Sequence, residues 1–179
     1  MQLPAWKAGL WAGLIAGAVY LVVLLVLLLA QGVSPLGTMR MTAAIVLGSG
    51  VLPPPPSFGM GIAAAALLVH FALSLVYGVL LALIIQRLER MPALGVGVAF
   101  GLAMWLLDYY LIAPGAFPWF AGERAAPATP FLHVVFGIAA VGGYLAIAAR
   151  ERRAGLERRQ HEEPVAAERR KHAERRGPV

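Results

Sequence analysis

The chain contains no cysteine and very little charge. Its 179 residues include 13% charged side chains and 60% hydrophobic ones. The absence of cysteine excludes disulfides, thiolate metal sites, iron–sulfur clusters and cysteine nucleophiles. A soluble domain keeps much of its surface in water and averages about 25% charged residues. The composition therefore excludes an ordinary soluble enzyme and a disordered chain.

The charges that are present are concentrated at the C-terminal end. Residues 150–179 hold ten of the fifteen Lys and Arg residues and six of the nine Asp and Glu residues. The rest of the sequence carries four apolar runs, each with about the 20 residues that a helix needs to cross a bilayer. Lipid offers the backbone no hydrogen-bond partners, so these runs must be helical. The runs are residues 8–30, 59–86, 93–113 and 131–149.

These runs predict an all-α membrane protein. Residues 1–149 form a bundle of four transmembrane helices, and residues 150–179 form a charged tail. The first run is too long for a signal peptide and no small-x-small cleavage site follows it, so we expect it to remain as a span. Each half of the bundle reads as a Gly-rich helix, a loop and a His-bearing helix. This order also favours two repeated hairpins of the same orientation.

Basic residues predict the orientation of the spans. Lys7, Arg87, Arg90 and the ten basic residues of the tail lie on one side, whereas Arg40 and Arg124 lie on the other. The positive-inside rule then places both termini in the cytoplasm. We expect the tail to attract anionic lipid. It has no aromatic residue for base stacking, so no nucleic-acid partner is expected.

Two segments that contain proline interrupt the predicted helices. Four consecutive prolines at 53–56 predict an extended spacer in the first outer loop, with Ser57 capping the helix that follows. In the tail, which repeats Glu-Arg-Arg four times, Pro164 is expected to separate two short, partly helical stretches.

Glycines recur at helical spacing in two of the spans. Gly9, Gly13 and Gly17 lie four residues apart, and so do Gly97 and Gly101. In lipid, such small-residue faces let two helices approach closely. The pattern predicts helix packing, either inside the bundle or between two copies of the chain.

Ionisable side chains inside the spans are rarer and more informative. They are His70, Asp108 and His133, which lie 17 residues from Arg87, 16 from Pro92 and 17 from Arg150, the residues that flank the cytoplasmic ends of their spans. That spacing corresponds to about 24–26 Å along a helix. The three residues are therefore predicted to form one polar layer that faces the bundle interior, because polar groups are costly in lipid unless they are paired.

Three interpretations of this layer remain open. It could be a structural clasp in which Asp108 accepts hydrogen bonds from the imidazoles. It could be a proton or ion site, since histidine titrates near neutrality. It could hold haem b or a metal ion through His70 and His133; no other cofactor is expected. Arg40, the one charge of the first outer loop, is expected to extend to lipid headgroups, with contact to Asp108 as the alternative.

No motif of a soluble enzyme is present. The sequence contains no GxSxG, P-loop or HExxH pattern and no paired catalytic carboxylates. We therefore expect a non-enzymatic membrane protein that is accessory to a membrane complex or self-associating. The alternatives are a haem-binding protein and a small transporter of ions, protons or solutes.

Four motifs extend across the predicted bundle. They are Arg40-Met41-Thr42-Ala43-Ala44-Ile45-Val46-Leu47-Gly48 with the proline run, His70-Phe71-x2-Ser74-x2-Tyr77-Gly78, Phe117-Pro118-Trp119-Phe120, and His133-x3-Gly137. In these motifs residues 8–149 resemble a group of small uncharacterised bacterial inner-membrane proteins with four spans. The group has no agreed activity, so the resemblance implies a bacterial cytoplasmic membrane and no function.

Overall fold

The computed structural model describes residues 4–52 and 59–175, with the backbone alone at residues 125 and 158–175. Within these residues the chain is helical and contains no strand. The helices are α1 (Ala5–Ala30), α2 (Leu36–Leu47), α3 (Met60–Ile85), α4 (Arg90–Leu106), α5 (Ala113–Ala116) and α6 (Ala128–Arg175). The proline run and Ser57 lie outside the described residues.

Four helical segments are long and apolar enough to cross a membrane. They are Ala5–Ala30, Met60–Ile85, Arg90–Ala116 and Ala128–Glu157. Each exposes many large apolar side chains, such as Val22, Leu68 and Leu111, which are more than 60% exposed. Such surfaces are stable against lipid and unfavourable in water. The predicted all-α fold of a membrane protein is confirmed.

The third span departs from a regular helix at its far end. α4 passes into a π-helical segment, Leu107–Ile112, and then directly into α5. The span therefore continues to residue 116, three residues beyond the predicted end. The π-helical segment contains Asp108. Such segments are rare and frequently lie at functional sites.

The last helix is much longer than a membrane span. α6 continues past residue 149 and through Pro164 to Arg175. The prediction that Pro164 separates two short stretches is therefore wrong. Proline removes one backbone donor and disfavours the preceding helical turn, but Glu, Arg, Ala and Lys on both sides are strong helix formers.

The four spans pack in the order α3, α1, α6, α4. Contacts are extensive between α1 and α3, between α1 and α6, and between α4 and α6, whereas the backbones of α3 and α4 seldom come close, and these two helices meet through side chains such as the rings of Tyr77 and Phe100. The short helix α2 packs on α3. We call the end of the bundle that carries α2 and the 3-10 segment Pro118–Ala125 the outer end, and the opposite end the inner end. Since α3 and α4 follow one another in sequence yet remain apart, the bundle has a gap between them.

Glycines bring α1 and α3 into backbone contact. A Cβ atom added to Gly13 would collide with the Ser74 carbonyl, and one added to Gly9 would lie 2.8 Å from the Val79 Cα. From the other side, a Cβ on Gly78 would collide with the backbone of Gly13. The three glycines of the first span therefore serve packing within this hairpin.

The second hairpin repeats the same register. A Cβ on Gly101 would collide with the His133 carbonyl, and one on Gly137 would collide with the Gly97 carbonyl. His133 thus occupies the place that Ser74 has in the first hairpin. The histidines of the two hairpins therefore do not occupy equivalent places and differ by one helical turn, because the glycine contacts determine the register.

Hydrogen bonds hold the outer end together. Arg40 is 6% exposed and donates from Nη1 to the Val51 carbonyl at 2.9 Å. Trp119 donates from Nε1 to the Met41 carbonyl at 3.1 Å, which ties the second outer loop to α2. The expectation that Arg40 extends to lipid headgroups is therefore wrong. The loop folds back over its guanidinium group and supplies an acceptor there.

Candidate functional site

Asp108 connects two neighbouring spans near the outer end. Its Oδ1 atom accepts a hydrogen bond from the Tyr77 hydroxyl at 2.7 Å. Its Oδ2 atom lies 3.8 Å from Nε2 of His133. Tyr77 belongs to α3 and His133 to α6, so one carboxyl group links the two sides of the gap. We call Tyr77, Asp108 and His133 the clasp.

The hydrogen bonds of His133 show where a proton must lie in the clasp. Its Nδ1 atom lies 2.7 Å from the Thr129 carbonyl oxygen. A carbonyl only accepts, so Nδ1 carries a hydrogen. In a neutral imidazole, Nε2 then carries a lone pair and no hydrogen, and this lone pair would repel an ionised carboxylate. The pair is attractive when one further proton is bound, either on Nε2 or on the carboxyl group.

Thr129 supports His133 through three neighbouring groups. Its hydroxyl oxygen accepts a hydrogen bond from Trp105 Nε1 at 3.2 Å. The same hydroxyl lies 3.0 Å from the Glu123 carbonyl and 2.9 Å from the Ala126 carbonyl, so its one hydrogen is shared between them. Thr129 is 5% exposed and lies in the first turn of α6. The first turn of α6, and with it His133, is thereby fixed to α4 and to the preceding loop.

His70 lies apart from the clasp. Its Nε2 atom donates to the Gly17 carbonyl at 2.9 Å, and its own carbonyl accepts from the Ser74 hydroxyl at 2.8 Å. The ring of Tyr20 lies next to both imidazoles, with centroids 5.4 Å from His70 and 5.7 Å from His133. The structure therefore pairs Asp108 with one histidine, and an aromatic ring adjoins both.

The arrangement does not fit a haem bound between the two histidines. The Nε2 atom of His70 is engaged by a backbone carbonyl of its own hairpin. Tyr20 occupies the space beside both rings. Among the described residues no group of three or more His, Cys, Asp or Glu residues could hold a metal ion. Binding a haem or metal ion through His70 and His133 would require both the histidine and the tyrosine to move.

A cavity of about 620 Å³ opens above the clasp. Its polar wall includes Tyr20, His70, Ser74, Tyr77, Asp108, Tyr109 and His133. Its other walls are mainly apolar and come from α1, α2, α3 and the outer end of the third span. The polar layer predicted from sequence thus lines a space instead of filling a packed core.

Arg40 and the predicted packing glycines lie away from this wall. Arg40 and the five glycines are not among the residues that line the cavity. The Arg40 side chain donates a hydrogen bond to the Val51 carbonyl instead. The glycines act on the site indirectly, because they set how closely the two helices of each hairpin approach.

Sequence reasoning missed the tyrosines and Thr129. The spacing of His70, Ser74 and Tyr77 is i, i+4, i+7, which places all three on one face of α3. That spacing was a usable signal for Tyr77. Tyr20 and Thr129 carry no comparable signal, because their roles depend on contacts between helices that are distant in sequence.

Comparisons with known proteins give no relative. No protein-family model, no curated protein and no solved structure matches the chain.

Proposed function

We propose that this chain is a non-enzymatic protein of the bacterial cytoplasmic membrane, with both termini in the cytoplasm, that serves as an accessory subunit of a membrane complex. The clasp is its defining element. One carboxyl group joined to α3 and α6 supports this proposal, because it fixes the relative position of helices that have few other contacts. The basic tail then lies beside anionic lipid.

The glycine contacts limit which surfaces of the chain could bind a second copy of it. The faces at Gly9, Gly13, Gly17, Gly97 and Gly101 are already filled by α3 and α6 of the same chain. Self-association of the chain would have to use another surface. This favours the role of accessory subunit over that of a dimer built on small-residue faces.

A transporter is the second candidate, since a titratable pair adjoins a cavity inside the bundle. Tight packing in the inner half of the bundle argues against a continuous transport path through the structure in this state. Leu81, Ile85 and Val141 are fully buried there, and they belong to one packed cluster. Proton flux in liposomes that is lost in Asp108→Asn would favour the transporter over the accessory role.

A double-mutant cycle tests the clasp. Tyr77→Phe removes the donor, Asp108→Ala removes the acceptor, and the double variant removes both. We expect a coupling free energy at the upper end of the range of about 0.6–1.7 kcal/mol measured for interhelical hydrogen bonds, because the acceptor is a carboxyl group. The measurement is thermal unfolding in detergent at constant pH.

Tyr144→Phe is the matched control for the clasp. The Tyr144 hydroxyl bonds to none of the residues whose side chains are described, so its loss should leave the melting temperature unchanged. If the effects of Tyr77→Phe and Asp108→Ala simply add, the two side chains do not act together and the clasp is refuted.

Single cysteines test the orientation, because the chain has none of its own. Gly122 and Gly155 both have open space around the position of a Cβ atom. We expect an impermeant maleimide added to spheroplasts to label Gly122→Cys, and to label Gly155→Cys only after lysis. The reverse pattern would contradict cytoplasmic termini.

The size of the extracted particle tests the accessory role. Protein taken from its native membrane in mild detergent should be part of a particle with other subunits in fixed ratio. A monodisperse monomer of 19.0 kDa at every detergent concentration would contradict this role.

A further inference from the structure

The cavity above the clasp has the size of a small-molecule site. Its volume of about 620 Å³ lies inside the range of about 300–1,000 Å³ that is typical of ligand pockets. The clasp forms its floor, and α2 lies across its outer side with Thr38, Thr42 and Ile45 in the wall. Nothing in the proposed accessory role uses this space.

Some of the side chains that line the cavity are also exposed on the surface of the spans. They are Leu25 of α1, Leu67 and Leu73 of α3 and Ile112 of the third span, which are 44%, 43%, 43% and 40% exposed. Side chains that are exposed on a membrane span contact lipid tails. A ligand that is dissolved in the bilayer can therefore enter sideways, without passing through water.

The charges of the wall select an uncharged ligand. No Lys or Arg in the described part of the chain lines the cavity, and Asp108 is already paired with Tyr77 and His133. A phosphate or carboxylate head group would find no cation there and would face a carboxyl group. An ammonium group would have to compete for that carboxyl group with both of its partners. Burying such an unpaired charge is costly.

Two hydroxyl groups in the wall are available as hydrogen-bond donors. Tyr20 and Tyr109 line the cavity, and neither hydroxyl bonds to a residue of the described chain. Both rings pack edge-on against His133, with centroids 5.7 Å and 5.8 Å away. The two phenols therefore adjoin one histidine, where they can donate to oxygen atoms on the same head group.

Aromatic side chains make the wall suitable for a flat ring. Besides the tyrosines, Phe117, Phe120 and Phe136 line the cavity. Aromatic faces and edges favour contact with other aromatic or conjugated rings. The wall thus combines aromatic surfaces with the hydroxyl donors of Tyr20 and Tyr109. Exposed leucine side chains extend this wall toward the lipid.

We propose that this cavity binds a lipid-soluble quinone. The flat, uncharged ring lies among the aromatic side chains and its carbonyl oxygens accept hydrogen bonds from Tyr20 and Tyr109. The apolar tail leaves between α3 and the third span, along the exposed side chains of Leu73 and Ile112. The clasp closes the floor behind the ring.

The test measures binding of a decyl-tailed benzoquinone to the full chain in lipid nanodiscs. Bound quinone should quench the fluorescence of Trp119, because Trp119 packs against the cavity-lining Phe117 and Phe120 at ring distances of 5.6 Å and 6.3 Å. The quenching should saturate when the cavity is filled. We expect Tyr109→Phe and Tyr20→Phe each to weaken binding by about threefold to tenfold, the effect of one lost hydrogen bond. Leu73→Phe, which narrows the entrance without adding a tryptophan to the assay, should weaken it more.

Leu68→Phe is the matched control for the entrance. Leu68 lies on the same helix, is 67% exposed and does not line the cavity, so this variant should bind as the wild type does. Equal quenching in Leu68→Phe and Leu73→Phe, or quenching that never saturates, would show mere partition into lipid and overturn the proposal. Farnesol that displaces the quinone at equal concentration would also overturn it, because farnesol has a tail and a hydroxyl group but no flat carbonyl ring. Failure of quinone binding would leave the clasp and the accessory role intact.

Discussion

Replacing Gly101 by alanine should separate α4 from α6. The new Cβ atom would collide with the His133 carbonyl oxygen, lie 2.7 Å from its carbonyl carbon and lie 3.0 Å from the Val134 Cα. An ordinary Cβ contact begins at 3.4 Å, so the helices must move apart by at least about 0.7 Å at this point. All three neighbouring atoms are backbone, and no side chain can rotate away to relieve the contact.

The expected cost follows from the overpacking. Forcing an extra methyl group into a packed contact typically costs about 1–3 kcal/mol. For a chain of this length, 1 kcal/mol lowers the melting temperature by about 2–4 °C. We therefore expect Gly101→Ala to melt about 2–12 °C below the wild type in detergent. The displacement of His133 should also reduce the coupling between Tyr77 and Asp108.

Gly95→Ala is the control on the same helix. No heavy atom lies within 4 Å of the position of its Cβ atom, and alanine favours a helix by about 0.5–1 kcal/mol over glycine. This variant should melt at or slightly above the wild-type temperature. If Gly101→Ala behaves in the same way, the close approach of α4 and α6 is refuted.

Two further predictions concern the hydrogen bonds around the site. Trp119→Phe removes the donor to the Met41 carbonyl and should free α2 for limited proteolysis with little change in the melting temperature; cleavage no faster than in the wild type would contradict its anchoring role. Thr129→Val keeps the shape of the side chain but removes the acceptor for Trp105 Nε1, so the buried donor is left unpaired and unfolding should become easier by about 1–3 kcal/mol. A Thr129→Ser variant, which keeps the hydroxyl, should recover most of this loss, and equal loss in both variants would show that the methyl group matters instead.

The resemblance to small bacterial membrane proteins stays a prediction. The sequence patterns differ in how much of the structure they predicted. Apolar length predicted the spans to within three residues at most ends, because the lipid thickness sets the number of residues. The glycine spacing predicted helix packing but not its partner, since the same face serves one chain or two. Both glycine faces are used within the chain.

The polar layer shows the limit of the sequence more sharply. Counting residues from the span ends placed His70, Asp108 and His133 at one level, and the rings of both histidines do adjoin Tyr20. Counting could not show that Asp108 pairs with Tyr77 and His133 while His70 bonds to Gly17. Helical level is a property of one helix, whereas pairing depends on how each helix is rotated against its neighbours.

The sequence by itself determined that this is a helical membrane protein with four spans, since lipid forces every backbone group in an apolar run to pair within its own helix. Only the tertiary structure decided that α3 and α4 stand apart, that a carboxyl group bridges them and that a cavity lies above the bridge. Those features arise from backbone contacts at glycines and from the π-helical segment around Asp108. They set distances between residues far apart in the chain, which no local pattern encodes.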